Sequence, residues 1–341
     1  MTRVFRNPWT VQLGILLVLA GLAAWRVDLH EVGKAFGQVR YAWLAVAFLI
    51  YVGSRILHTW EWRVLLTKVG EAPFLGLFGV LLIGSLVNAV FPANLGDVAK
   101  VQIMANRYGL TRAGLIGSRG AESVLNGVMF VVFVFIGVAL AHGSMPQTLV
   151  LALAFVSGLL CLGAVLLIQR MGTRPPKWRL LGRLPLRFHR SMRQAWPRIR
   201  DGFEALRRPE LLATLVLLNL AGWSIEIAMY CAYGRAFNLD LSLGACVAIA
   251  VVVSIVTTFP VTFGNIGSWE AGIVAALALY GVPADEALTY AIEAHVFITL
   301  FNLGLGLLAM LVMRIEPAEI LRLRDKTQPD LTMQDAALGL G

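Results

Sequence analysis

The sequence predicts an all-α integral membrane protein of about six spanning helices and two re-entrant helical hairpins, arranged as an inverted repeat. Three features of the chain point there. Of its 341 residues 58% are hydrophobic and only 14% charged, against roughly 25% charged in a soluble domain. Its apolar runs are too long for strands or core helices. Two of those runs break at matching Pro, Asn and Gly residues.

Spanning takes about 20 apolar residues, because the hydrocarbon core is about 30 Å thick and a helix rises about 1.5 Å per residue. Residues 11–25, 41–60, 121–141, 148–168, 211–233 and 284–313 qualify, the first being short but flanked by aromatics. Arg3 and Arg6 place the N-terminus inside, and the first run reads as an uncleaved helix rather than a signal peptide, since Ala23-Ala24-Trp25 makes a poor cleavage site. The next span, 41–66, returns to Arg63 and Lys68. Residues 74–91 then meet Pro92-Ala93-Asn94-Leu95-Gly96-Asp97, followed by an amphipathic stretch, 98–108. A full crossing there would put Lys100, Arg107, Arg112 and Arg119 outside, so a hairpin that enters and leaves on one face fits better. Residues 243–259 likewise end at Pro260-Val261-Thr262-Phe263-Gly264-Asn265-Ile266-Gly267, and a short helix, 268–280, follows. That hairpin enters from the opposite face.

The net charge of +9 invites a nucleic-acid reading. Its placement argues against one: most of the excess lies in one loop, 170–208, between two spans. Such a loop belongs on the cytoplasmic side, against anionic lipid heads. The chain therefore reads as one transmembrane domain, 1–320, with halves at 41–169 and 211–313 joined by the basic loop 170–210. Residues 321–341 form a short cytoplasmic tail, expected to be disordered. Both termini are expected inside, in a plasma (inner) membrane of bacterial type.

The halves resemble each other. Asn94-Leu95-Gly96 answers to Asn265-Ile266-Gly267, Tyr108-Gly109 to Tyr280-Gly281, and Glu122 to Glu293, at a separation close to 171 residues throughout. Paired interrupted helices in opposite halves are a sequence pointer to a transporter's central site. The bland alternative is that Pro and Gly merely shape two interfacial loops. An ionisable side chain within a span costs several kcal/mol unless paired or hydrated, so each is a functional candidate. The candidates for substrate binding are Arg55, Asn88, Asn94, Asp97, Lys100, Arg119, Glu122, Asn265, Ser268, Glu270, Glu293 and His295. The breaks are Pro92, Gly96, Pro260, Gly264 and Gly267. Mutual pairing, Arg119 with Glu122 or Arg55 with a Glu, is the competing explanation. Glu61 and Arg63 read as interfacial. Asn126, Glu226 and Asn302 are further polar positions in spans. Cys161, Cys231 and Cys246 read as buried small apolar residues with no disulfide. No metal site, cofactor motif or catalytic signature is present.

The segments Glu61-Trp62-Arg63-Val64-Leu65-Leu66, Asn88 through Asp97, Arg119-Gly120-Ala121-Glu122, and Phe259-Pro260 with Gly264-Asn265-Ile266-Gly267-Ser268-Trp269-Glu270 resemble the flippase-like transmembrane family. This is the membrane half of lysylphosphatidylglycerol synthases, also found as stand-alone proteins. The resemblance runs from about residue 14 to 313. It implies an all-helical bundle that moves a lipid or lipid-linked head group between leaflets. The lipids it implies are an anionic phospholipid, a polyprenyl-linked sugar or a hopanoid-type lipid. It marks Arg63, Asn88, Pro92, Gly96, Asp97, Arg119, Glu122, Pro260, Gly264, Gly267 and Glu270. Many members carry Gly-Glu where this chain has Gly96-Asp97, which keeps the charge and shortens its reach. Only a short tail follows Met313, so making lysyl-lipid with this chain alone is not expected. A membrane enzyme of lipid modification and a non-transporting scaffold remain the other readings. A second copy or a lipid-synthesis enzyme is the protein partner class; nucleic acid is not.

Overall fold

The computed structural model describes residues 39–91, 94–140, 155–156, 158–159, 163, 186–258 and 265–316, with side chains of the segment 186–258 from 193 onward. Residues 11–25, most of 148–168, the breaks Pro92, Pro260 and Gly264, and the tail 321–341 lie outside them. The described residues are helical, with no strand. The first half is α1 (Tyr41–Leu65), α2 (Phe74–Val90), α3 (Leu95–Tyr108) and α4 (Arg112–Leu140). A basic helix α5 (Leu186–Gly202) and one turn α6 (Glu204–Arg207) link it to the second half. That half is α7 (Pro209–Ala236), α8 (Leu243–Thr258), α9 (Ser268–Ala278) and α10 (Ala284–Met313). Each half therefore runs long, medium, short, long.

Among the described residues four helices, α1, α4, α7 and α10, are long and apolar enough to cross a membrane. Large apolar side chains cover their outer faces, among them Leu49, Leu217 and Val312, 68%, 66% and 74% exposed. Exposure on that scale marks a surface made for lipid. At 17 and 16 residues, α2 and α8 reach only about 25 Å, short of the hydrocarbon core.

Local chemistry sets the breaks. Phe91 is extended, with φ −107° and ψ 145°, because the residue before a proline is pushed out of the helical region. Asn94 then takes a left-handed φ of 54° and α3 begins. Its counterpart Asn265 is left-handed too, at φ 59°, and α9 starts at Gly267 with φ 84°. Asn is one of the few side chains that tolerate this region. In each hairpin the arms run antiparallel. Gly96 abuts Gly84 and Asn88, while Tyr108 at the far end lies over Gly76. In the second hairpin Gly272 lies on Val252 and Val256, and Tyr280 lies over Gly244. The repeat read from the sequence is thus present as a repeat of structure.

The halves meet head to tail. Arg40 N–H donates to the Ala236 carbonyl at 2.8 Å, and Asn219 Nδ2 reaches Glu61 at 2.8 Å near the other end, so α1 and α7 are antiparallel. Each hairpin is covered by the last helix of the opposite half. Met313 and Gly306 of α10 pack on α2, and Gly137 and Leu140 of α4 pack on α8. The first hairpin opens at the end of the bundle where α1 finishes, and the second opens at the other end. Arg63, Lys68, Arg107, Arg112, Arg207, Arg208 and Arg314 gather at the first of these ends, Asp240, Asp285 and Glu286 at the second.

Three expectations are corrected. The basic segment is not simply a loop: residues 186–207 are helical, and α5 crosses α4 with Ile199 on Gly117 and Gly202 on Ser118. Two glycines at the crossing allow that approach. Cys231 of α7 and Cys246 of α8 are joined as a disulfide, with Cα atoms 5.7 Å apart. The antiparallel α7–α8 turn brings them level. Glu61 is not interfacial; it is 1% exposed. Arg63 does face outward, over the Trp60 ring at 5.2 Å.

Candidate functional site

The polar residues of the bundle interior collect in three places. The first is the tip of hairpin α2–α3 where it meets α4. Asn88 Oδ1 accepts the Gly96 N–H at 2.6 Å, tying the last turn of α2 to the first turn of α3. One turn on, Lys100 Nζ is 2.6 Å from Asp97 Oδ1. Across the gap, Arg119 Nε donates to Asp97 Oδ2 at 2.9 Å, and its Nη1 lies 2.5 Å from Glu122 Oε1. Two cations and two carboxylates alternate here, so the tip is neutral in sum. The Arg119 side chain is 36% exposed, so its guanidinium is not sealed in. Lys100 also lies over the Trp62 ring, 6.0 Å from its centroid.

The second place is the tip of hairpin α8–α9 where it meets α10. Glu270 Oε2 accepts the Gly267 N–H at 2.6 Å, capping α9. Its other oxygen sits 2.6 Å from His295 Nδ1, and the His295 ring stacks on Trp269 at 4.9 Å. Ser268 Oγ donates to the Asn265 carbonyl at 2.9 Å. Glu293 lies two residues from His295, hence on a different face of α10. It is buried and makes no hydrogen bond or ion pair among the described residues.

The third is a chain of side chains along the α1–α7 seam. Glu226 accepts from Arg55 Nη2 at 2.9 Å and from Ser54 Oγ at 3.1 Å. His58 lies between Glu226, 3.1 Å from Nε2, and Glu61, 3.3 Å from Nδ1. Glu61 also accepts from Asn219 Nδ2 at 2.8 Å, and the same amide group donates to Asn126 Oδ1 of α4 at 2.7 Å. His58 and Lys100 both lie within electrostatic range of Glu122, which connects this chain to the first tip. Separately, Tyr51 donates to Asn302 of α10 at 2.5 Å.

The structure therefore brings Asn88, Asp97, Lys100, Arg119 and Glu122 together, with Asn94 at the adjoining bend. It brings Asn265, Ser268, Glu270 and His295 together, and leaves Arg55 and Glu293 outside both groups. Sequence reading missed His58 and Asn219. The signal was present: Ser54, Arg55, His58 and Glu61 share one face of α1 at three- and four-residue spacing. The pairs weighed as a bland alternative, Arg119 with Glu122 and Arg55 with a glutamate, both form. Among the described residues no cluster of His, Cys, Asp and Glu fits a metal ion.

Chemically, the first tip is an exchangeable set of ion pairs. A phosphate can replace a carboxylate on Arg119, whose planar fork matches either partner. Comparison with curated proteins and with solved structures gives no match. Residues 9–306 match the family described as the lysylphosphatidylglycerol synthase TM region, and the chain belongs to that family.

Proposed function

We propose that the protein carries an anionic lipid, or a lipid-linked anionic head group, from one leaflet to the other. The family suggests a membrane protein of lipid modification or transport. The observation that supports the finer reading is the pair of oppositely entering hairpins, one of whose tips holds Lys100 and Arg119 against exchangeable carboxylates. Hairpins of this kind leave irregular backbone at membrane depth, which is tolerated where it lines a wet or protein-covered cavity. In this reading Arg119 and Lys100 take the head-group phosphate, Asp97 and Glu122 hold the cations between cycles, and the tails stay in the lipid beside α4. A phosphate-bearing head, phospholipid or polyprenyl-linked, suits these cations better than a neutral hopanoid. The bundle's basic end is then cytoplasmic by the positive-inside rule, in the plasma membrane.

The test is leaflet transfer in vesicles carrying fluorescent phosphatidylglycerol, with the outer-leaflet dye quenched at intervals. Wild type should transfer faster than protein-free vesicles, and Arg119→Ala should remove most of the difference. Equal rates in all three overturn the reading. A chemically altered lipid formed in detergent, where no leaflets exist, would make it an enzyme instead.

A further inference from the structure

Lys100 reaches the first tip along a slot. Its Cγ and Cδ lie only 2.6 and 2.8 Å from the point where a Cβ on Gly84 would stand. Carbon atoms in contact sit about 3.5–4.0 Å apart, so any side chain at 84 would push the lysine stem aside. The Gly96 carbonyl is 3.2 Å from the same point, a crowding that a shift of a few tenths of an ångström relieves. The stem of Lys100, more than the facing backbone, is therefore what the missing side chain makes room for. Beyond the stem, the ammonium rests 6.0 Å from the centroid of the Trp62 ring. That ring is 7% exposed and packs in the core shared by α1, α2 and α3. The slot has a glycine of α2 along its length and an indole of α1 at its mouth.

The carboxylate opposite does not set where the ammonium sits. Nζ is 2.6 Å from Asp97 Oδ1, yet that oxygen is buried and receives no aligned hydrogen bond. Arg119, by contrast, donates squarely to the other oxygen of Asp97 at 2.9 Å. Lys100 is held by charge attraction and by its own stem, and its N–H groups stay available to another oxygen. The second hairpin is packed the other way round. There the glycine is on the short arm, Gly272, and Val252 of the longer arm fills the space across from it. Neither α8 nor α9 carries a lysine or an arginine. Slot and cation occur in the same hairpin.

Building on the lipid-carrier reading, we infer that Gly84 and Trp62 are positioning residues for the head-group phosphate, fixing Lys100 at the tip whether or not Asp97 faces it. When a phosphate oxygen takes the place of Asp97, an unrestrained lysine follows its carboxylate away. A lysine in the slot stays. Lysine also has more rotamer freedom to lose than most side chains, and a stem already fixed loses little of it when the ligand arrives. The phosphate therefore meets a preset cation in Lys100 as well as the fork of Arg119, and binds at a lower density of anionic lipid than Arg119 alone would allow.

The experiment uses the full chain in phosphatidylcholine vesicles with the fraction of phosphatidylglycerol stepped upward, and reads a half-saturating fraction and a maximal transfer rate. Lys100→Ala should raise the half-saturating fraction about tenfold, the loss of one charged hydrogen bond. Gly84→Ala should raise it by a similar factor with the lysine still present. Combined with Lys100→Ala, it should add no more than about twofold, because no stem is left to displace. Trp62→Leu should raise it about threefold. A glycine that only spaces the helices lowers the maximal rate and the thermal midpoint in both backgrounds and leaves half-saturation alone. That result overturns the inference, as do factors that multiply in the double variant, or a half-saturating fraction that ignores Lys100→Ala or Trp62→Leu. In each of these the carrier reading stands. Absence of any wild-type transfer overturns the carrier reading itself. Should Gly84→Ala fail to fold, as judged by size exclusion, while the double variant folds, the collision with the stem is borne out. Should both fail, Trp62→Leu combined with Lys100→Ala decides by the same rule.

Discussion

The two hairpin tips share a backbone and differ in chemistry. Both place a left-handed asparagine two residues before a glycine, Asn94 with Gly96 and Asn265 with Gly267. Both close their open end with a tyrosine over a glycine. Yet the first tip holds two cations and two carboxylates, and the second holds a glutamate, a histidine and a tryptophan. The two tips share the residues that shape the turn and differ in the side chains around it. One tip carries two cations, Lys100 and Arg119, each paired with a carboxylate. At the other, Glu270 is occupied by its own helix cap and His295.

The largest expected effect separates the two glycines. A Cβ at Gly96 collides with the Gly84 carbonyl, a backbone atom that cannot rotate away. Gly96→Val should cost at least about 3 kcal/mol and leave little monodisperse protein after mild heating in detergent. At Gly267 a Cβ meets open space and only the φ of 84° is strained, so Gly267→Ala should cost about 1–3 kcal/mol. Equal losses at both positions would break the distinction.

Next comes charge. Arg119→Ala leaves two carboxylates to one lysine and should slow leaflet transfer at least about tenfold, the equivalent of 1.4 kcal/mol. Arg119→Lys should fall between, because it restores the charge without the fork. At the second tip, Glu270→Gln keeps an acceptor for Gly267 N–H and loses the charge facing His295. Thermal unfolding should register about 1 kcal/mol, with transfer changed less than at Arg119. The smallest effect is expected from Asp97→Glu, which lengthens the carboxylate within a tip that is already partly open. Transfer rates within about twofold of wild type would fit a cation set that tolerates either acid.

Sequence reading reached the elements that carry their own punctuation. Gly109 follows the end of α3, and the last span starts at residue 284 as its apolar run does. The break after Phe91 follows from the proline beyond it. Helix α5 was hidden because its arginines hide the apolar positions; Trp196 and Ile199 matter only once the cluster around Leu65, Ala121 and Leu206 takes them, with Ile199 against Gly117 of α4. Arg119 and Asp97 were each legible as polar residues in apolar surroundings. Their contact depends on the hairpin folding back. His58 lay in a span whose neighbours Arg55 and Glu61 drew attention, but a histidine's role is set by what faces it, and Glu226 lies 168 residues away. The Cys231–Cys246 pair was likewise unreadable without the antiparallel turn between α7 and α8.

The exchange of covers between halves has a consequence for how the chain is made. Helix α2 rests on α10, which starts at residue 284. At 5–20 residues per second the ribosome takes about 10–40 s to travel that far from the first hairpin. Throughout that interval the flank of α2 that faces α10 has no native cover and depends on the insertion machinery for shelter. Neither half is a self-sufficient folding unit. A chain severed between them, with both pieces made in the same cell, should yield fragments that persist together and are degraded apart.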